Sequence, residues 1–326
     1  MKPQGKLPIW RGFNLQNMYV KGSKNDKEFD EKDFRTISEW GFNFVRLPID
    51  YRILIADNDW YKVNESAFLR LDKAVELGAK YNIHVCVNFH RAPGYTVHSN
   101  KEPTDLWTDT ETQNAFAFLW SAVAERYKES SNDRVSLNLV NEPPPIDEAV
   151  HAGVMEKAAI AIRAKDPNRL IIADGREWGS LPSGMIRDLG MAQSTRGYYP
   201  NNISHYKAAW MKGADDFPAP VWPMNDNSVP ANQWLWDTAF KQWDQYIENG
   251  GVMVGEWGAH NKTPHDVVLK WMEDNLKIFK EHGIGWALWN FDDSFGPVNS
   301  DRADVDYEDY NGYKLDRRML ELLQRY

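Results

Sequence analysis

Eight short runs of apolar, largely β-branched residues recur along the chain, each followed by a stretch with helical spacing. They fall at 11–15, 42–47, 85–89, 135–140, 170–173, 193–199, 252–254 and 284–291. Near-continuous apolar runs of this length read as strands buried on both faces, as in a parallel sheet covered by helices. Between them, Phe68, Leu71, Val75 and Ala79 follow an Asn64 cap. Ala115, Leu119, Ala122 and Val123 form a second stripe, and Val150, Val154, Ala158, Ala161 and Ile162 a third. Thr263-Pro264 reads as an N-cap followed by proline at the first helical position, with Val268, Met272, Leu276 and Phe279 behind it. A closing helix is expected over 315–326. No repeat, low-complexity linker or composition break divides the chain. Eight strand–helix alternations over 326 residues predict an α/β fold, a single-domain (β/α)₈ TIM barrel spanning 1–326. The rival is an open doubly wound sheet. It usually carries a Gly-rich phosphate loop after its first strand, and here that place reads Asn14-Leu15-Gln16-Asn17.

A barrel of this kind does its chemistry at the C-terminal ends of its strands. That rule reduces the 47 acidic residues to Asp50, Glu142, Asp174, Glu256, Asp292 and Asp293. Glu142 ends a buried run as Asn141-Glu142-Pro143, where the proline stops the strand and leaves the carboxyl at the rim. Glu256 sits between Gly255 and Trp257-Gly258, and glycines let other groups approach closely. These are the fourth and seventh runs, whose ends face each other across a barrel mouth. Paired carboxyls suit glycosidic bond cleavage, one delivering a proton and the other attacking the anomeric carbon. A gap of roughly 5–5.5 Å makes such an enzyme retaining and roughly 6.5–9.5 Å makes it inverting. A strand-end ion pair with an arginine or lysine is the bland reading of either Glu taken singly.

Fifteen Trp, 14 Tyr and 14 Phe exceed what core packing requires, and a surface that stacks flat apolar ligands would account for the excess. The net charge of −9 argues against nucleic acid as a partner. One cysteine, Cys86, excludes an intrachain disulfide and reads as a small buried hydrophobe. No apolar run is long enough for a membrane span, and residues 1–6 show no leader core. A soluble monomer without membrane contact is therefore expected, and the compartment stays open between cytoplasmic and secreted with a leader removed.

The chain resembles glycoside hydrolase family 5, the cellulase-like family of the large retaining (β/α)₈ clan. The likeness rests on Arg11-Gly12-Phe13-Asn14, Gly41-Phe42-Asn43-Phe44-Val45-Arg46-Leu47-Pro48, Asn88-Phe89-His90, Asn141-Glu142-Pro143, Gly255-Glu256-Trp257-Gly258 and Trp286-Ala287-Leu288-Trp289, in family order over nearly the whole chain. It implies that Glu142 is the acid/base and Glu256 the nucleophile. It also implies that Arg46 hydrogen-bonds near the nucleophile and keeps it ionised. Asn141 would contact the sugar 2-hydroxyl, His90 would touch the sugar in the central subsite, and Trp289 would form the platform beneath it. No cofactor and no metal are implied, and the partner is a β-linked polysaccharide or oligosaccharide. The activity expected is an endo-β-1,4-glucanase working by double displacement. A β-mannanase or another β-glycosidase of the family is the alternative, and a non-catalytic carbohydrate-binding barrel the alternative of another class.

The sixth run departs from the family's His-x-Tyr. Aligned on Tyr-x-Pro, Tyr198 takes the tyrosine place and Arg196 stands for the histidine. Aligned on the histidine, His205 takes its place and the tyrosine spacing fails. The first alignment keeps the strand short and is preferred. For Arg46 the bland reading is a pair with Asp50, and for His90 a satisfied core histidine. Trp107, Trp178, Trp210 and Trp222 fall in loops where stacking platforms would sit, against local packing. Asp301, Asp304, Asp306, Glu308 and Asp309 lack calcium-loop spacing and read as a solvated, Arg-paired loop. A metal-dependent hydrolase would need several ligands converging at strand ends, and only His90 and His205 are on offer there.

Overall fold

The computed structural model describes residues 6–98, 100–224 and 229–326. The first five residues, read above for a leader, lie outside the described residues. The principal strands are β1 (Arg11–Asn14), β2 (Phe44–Asp50), β3 (His84–Ala92), β4 (Val135–Asn138), β5 (Ile171–Asp174), β6 (Ala192–Gly197), β7 (Val252–Trp257) and β8 (Gly285–Leu288). Parallel strands alternate with helices along the chain, and the fold class is the (β/α)₈ barrel. Every residue of β2 and β3 is buried, which is why their sequences show no alternation.

The chain divides into two compact units, one built on Gln16–Thr195 and the other on Pro8–Leu15 with Arg196–Tyr326. The first contains a run of parallel pairings, Phe44↔His84, Val85↔Val135, Leu137↔Ile171 and Ile172↔Ala192. Its helices are α1 (Glu31–Glu39), α2 (Glu65–Tyr81), α3 (Thr110–Tyr127) and α4 (Glu148–Arg163). Aspartates begin three of them. Asp30 accepts from the Lys32 N–H, Asp109 from Thr112, and Asp147 from Ala149 and Val150. Asn64 does precede α2, but its amide donates to the Ile53 carbonyl rather than capping the helix. The helix ends on Asn82 in the left-handed conformation, its N–H on the Gly78 carbonyl. The stripe expected for α4 is rotated. His151, Val154, Met155, Ala158 and Ile162 are buried, whereas Val150 is 40% exposed.

In the second unit β8 pairs with both β1 (Arg11↔Trp286) and β7 (Met253↔Gly285). The β7 register shifts between Val254 and Trp257, so Gly255 and Glu256 occupy an irregularity of the kind that re-aims a side chain. The helix after β7, α5 (His265–Glu281), starts one residue later than expected, with Pro264 as its N-cap. Thr263 does not cap it, because its hydroxyl donates to the Ile203 carbonyl at 2.6 Å. The last helix, α6 (Arg317–Arg325), is capped by Asp316 on the Met319 N–H. Between β6 and β7 the chain makes only short helical turns, at Asn201–Ser204, Ala231–Leu235 and Asp244–Glu248 among others. Cys86 is buried, and burial raises its thiol to about 11. No helix among the described residues is long and apolar enough to cross a membrane.

Candidate active site

In the first unit the chemistry gathers around Asp174, the last residue of β5, which is fully buried. Its Oδ1 accepts from Asn138 Nδ2 at 2.9 Å, and its Oδ2 accepts from the main-chain N–H of Glu142 at 2.9 Å. Arg46, 1% exposed in the middle of β2, donates from Nε to Asn138 Oδ1 at 2.9 Å and from Nη2 to Asn141 Oδ1 at 2.8 Å. It also lies 3.9 Å from Asp174. Arg46 thus reaches side chains from β4, β5 and the Asn141 turn. Asp50, the partner in the bland reading of Arg46, is held by Arg52, Nε to Oδ1 at 2.9 Å.

The Asn141 N–H donates to the Phe89 carbonyl at 3.0 Å, and the next residue, Glu142, turns out of the sheet at φ 48°. A left-handed backbone is costly for a residue with a side chain, on the order of 1–3 kcal/mol, and persists only where neighbours over-determine it. Those neighbours are visible. The Tyr95 hydroxyl donates to the Glu142 carbonyl. The Trp178 N–H holds the Pro143 carbonyl at 2.8 Å, the Glu177 N–H the Pro144 carbonyl at 3.4 Å, and Arg176 Nη1 the Ile146 carbonyl at 3.1 Å. Pro143, Pro144 and Pro145 have no N–H to give, so carbonyls alone fix this loop. His90, 3% exposed at the end of β3, is packed edge-on by Tyr19 at 4.6 Å and lies 5.5 Å from His98.

In the second unit Glu256 is 3% exposed. Tyr198 donates its hydroxyl to Oε2 at 3.1 Å, and Arg196 Nη2 lies 3.5 Å from Oε1. The strand ends at Gly197 between them, where a Cβ would stand 2.7 Å from the Trp257 Cβ. Tyr198 and Arg196 thus both reach the Glu256 carboxylate. His205 lies behind it, 4.9 Å ring to ring and bonded to the Ser204 hydroxyl at 2.8 Å. Burial, with His260 nearby, lowers His205 to about 4, so its ring is neutral above that pH. Trp289 is half-buried at the end of β8, its N–H on the Trp257 carbonyl at 2.8 Å. Gly258, at φ 124°, lets Leu288 approach where a Cβ would meet Cδ1 at 3.1 Å. Asn14 donates to the Gly255 carbonyl at 3.0 Å, tying β1 to the glutamate's own turn. Arg302, buried, donates to the carbonyls of Ala259 and Thr263 and sets the loop beyond it.

Several residues fall elsewhere or were not singled out. Trp222 is a packing residue, 7% exposed with its indole N–H on Asp274 at 2.9 Å. Trp210 and Trp178 are 63% and 55% exposed, and Trp107 is half-buried against Tyr95. Asn138 and Tyr95 carry no sequence signal of their own. Asp174 appeared only as one strand-end acid among six. In the acidic loop Glu308 pairs with Arg317 at 2.6 Å and Asp304 accepts from the His265 N–H. No group of three or more His, Cys, Asp or Glu side chains suited to a metal ion occurs among the described residues.

The model of the cellulase family, glycosyl hydrolase family 5, matches residues 2–294. Endoglucanase C of Acetivibrio thermocellus is 28% identical over 311 residues, covering 87% of this chain and 90% of the relative. Cellodextrinase A of Ruminococcus flavefaciens is 28% identical over 293 residues, covering 85% and 83%. Among solved structures, one described as a glycoside hydrolase superposes with a TM-score of 0.90 at 37% identity, covering 97% of this chain and 99% of its own.

Proposed function

The chain belongs to glycosyl hydrolase family 5, and we propose that it cleaves β-1,4-linked glucan internally, as a retaining endoglucanase. Glu256 attacks C1 while Glu142 protonates the departing sugar oxygen. Glu142 then acts as base and activates the water that hydrolyses the glycosyl-enzyme. The observation that carries the assignment is the setting of Glu256. Its carboxylate is buried and addressed by a phenol hydroxyl on one oxygen and a guanidinium on the other. A carboxylate gripped this way is oriented for in-line attack. Glu142 is half-buried, on a turn whose Glu142, Pro143 and Pro144 carbonyls each accept a hydrogen bond, as suits a group that must serve first as acid and then as base.

The full-length relatives named endoglucanase and cellodextrinase favour β-glucan over mannan as the substrate. Arg46 belongs to the reading as the group that hydrogen-bonds near the nucleophile and helps keep it ionised, Asn141 as the contact of the sugar 2-hydroxyl, and His90 and Trp289 as sugar contacts. Arg196 takes the place of a family histidine. The test is product analysis over defined cello- and manno-oligosaccharides, with the anomer formed first followed by NMR. Release of shorter cello-oligosaccharides as the β-anomer supports the reading. Preferential mannan cleavage sinks the substrate assignment, and initial α-anomer sinks the retaining mechanism. Glu256→Gln should lower turnover by at least about a thousandfold without loss of fold. Normal activity in that variant overturns the nucleophile assignment.

A further inference from the structure

In the first unit the loop after β5 holds two consecutive residues in the left-handed region, Glu177 at φ 51° and Trp178 at φ 57°. That region is unfavourable for residues with side chains, and it persists where the surroundings over-determine it. Arg176 and Leu181 exchange main-chain hydrogen bonds at 2.9 and 3.0 Å and close the loop. The Gly179 N–H donates to the Gly175 carbonyl at 3.0 Å, and the Thr195 hydroxyl to the Gly179 carbonyl at 3.0 Å. The Glu177 carbonyl accepts from both the N–H and the hydroxyl of Ser180. On the other side the Trp178 N–H holds the carbonyl of Pro143, the residue after Glu142, at 2.8 Å. This restraint presents a side chain that the fold itself does not use. Trp178 is 55% exposed, and its indole makes no hydrogen bond and no ring contact among the described residues. Trp210, of similar exposure, does set its ring edge-on to His260 at 4.9 Å.

A strained backbone that keeps a large apolar ring in solvent gains the fold little by burial, and strain of this kind gathers at ligand sites. An acid catalyst stands at the glycosidic oxygen, between the sugar that is attacked and the sugar that departs. Trp289 belongs to the sugar under attack in the function proposed above. Trp178, whose N–H is bonded to the residue after Glu142, falls to the sugar that departs. We propose that Trp178 is the platform for the departing sugar and receives an acceptor sugar in the second step, so that the enzyme transfers glycosyl groups as well as hydrolysing them. In that transfer the acceptor hydroxyl oxygen bonds to C1 and the ester bond from C1 to Glu256 breaks. The hydroxyl proton passes to Glu142, as the proton of water does in hydrolysis. The inference rests on the roles proposed above for Glu142 and Glu256.

The test uses β-cellobiosyl fluoride as donor and cellobiose as acceptor, with products followed at early times. Fluoride leaves without a proton and without a sugar ring. Water and acceptor then compete for one glycosyl-enzyme with the same base, so a defect in Glu142 cancels from the ratio of transfer to hydrolysis. The wild-type protein should form cellotetraose. Trp178→Ala should lower the transfer ratio by about tenfold, the worth of one ring's apolar contact. Trp178→Tyr, which keeps a ring, should retain most of it. An unaltered ratio in Trp178→Ala overturns the platform, as does a wild type that hydrolyses the fluoride without forming cellotetraose. Both outcomes leave the proposed function standing. A wild type that leaves the fluoride intact sinks that function and this inference with it.

Discussion

The main-chain N–H of Glu142 donates to Oδ2 of Asp174 at 2.9 Å, across 32 residues of sequence. A buried aspartate thereby fixes the backbone from which the proposed acid/base projects, and the same carboxylate holds Asn138 and lies near Arg46. Asp174→Ala should destabilise the protein by about 3 kcal/mol, since it strips a buried cation of an anionic neighbour and orphans two donors. Asp174→Asn should cost less. Urea unfolding reads both, and a loss below about 1 kcal/mol for the alanine variant contradicts the role.

Tyr198→Phe removes the phenol hydroxyl from Glu256 while the ring remains packed on His205. A hydrogen bond to a charged group is worth about 1.5–3 kcal/mol. The corresponding fall in kcat/KM is about 10- to 150-fold. Steady-state kinetics on a soluble β-glucan measure it. An unchanged kcat/KM means that the hydroxyl contributes nothing to the reaction.

Tyr95→Phe frees the carbonyl of Glu142 while keeping the contact with Trp107. If the hydroxyl serves to position the acid, kcat should fall by about tenfold with KM little changed, the pattern of an interaction that matters in the transition state. The loss should be greatest for poor leaving groups and small for an activated aryl glycoside, which needs no protonation. Equal losses on both substrates point to a general structural defect.

Several buried histidines make stability depend on pH, His84, His151 and His205 among them. His205 and His151 are each lowered from 6.5 to about 4, chiefly by burial, with the positive charge of Arg176 adding to the effect on His151. Above pH 6.5 neither the folded nor the unfolded chain protonates them. As pH falls from 6.5 to 4 the unfolded chain takes up protons that the folded one refuses, so stability is lost through that window. Each ring accounts for roughly 3 kcal/mol by pH 4. Urea midpoints between pH 7 and pH 4.5 should decline, and His151→Gln should flatten the decline. An identical slope in that variant removes His151 from the explanation.

The barrel was legible in the sequence because burial on both faces writes itself as uninterrupted apolar runs, and β2 and β3 are such strands. Glu142 and Glu256 were legible because proline and glycine mark where those runs stop. Asp174 was not, because what distinguishes it from Asp292 or Asp293 is an N–H 32 residues upstream. Trp222 stayed open between platform and packing for the same reason. It sits in a loop-like stretch, yet its partner Asp274 is 52 residues further on. Thr263 carried a true helix-start composition, but a carbonyl of the preceding excursion claims its hydroxyl. Local patterns report burial and chain direction, and the partners of polar groups are decided by the fold.

The loop beyond Glu142 has a consequence for the chain before it folds. Three successive prolines confine φ in the denatured ensemble nearly as tightly as in the native state. The segment that follows the proposed acid thus surrenders little disorder when the barrel closes. Local covalent geometry therefore adds its share of rigidity beside Glu142 to that of the carbonyl hydrogen bonds, and the loop enters folding with part of its shape already in place.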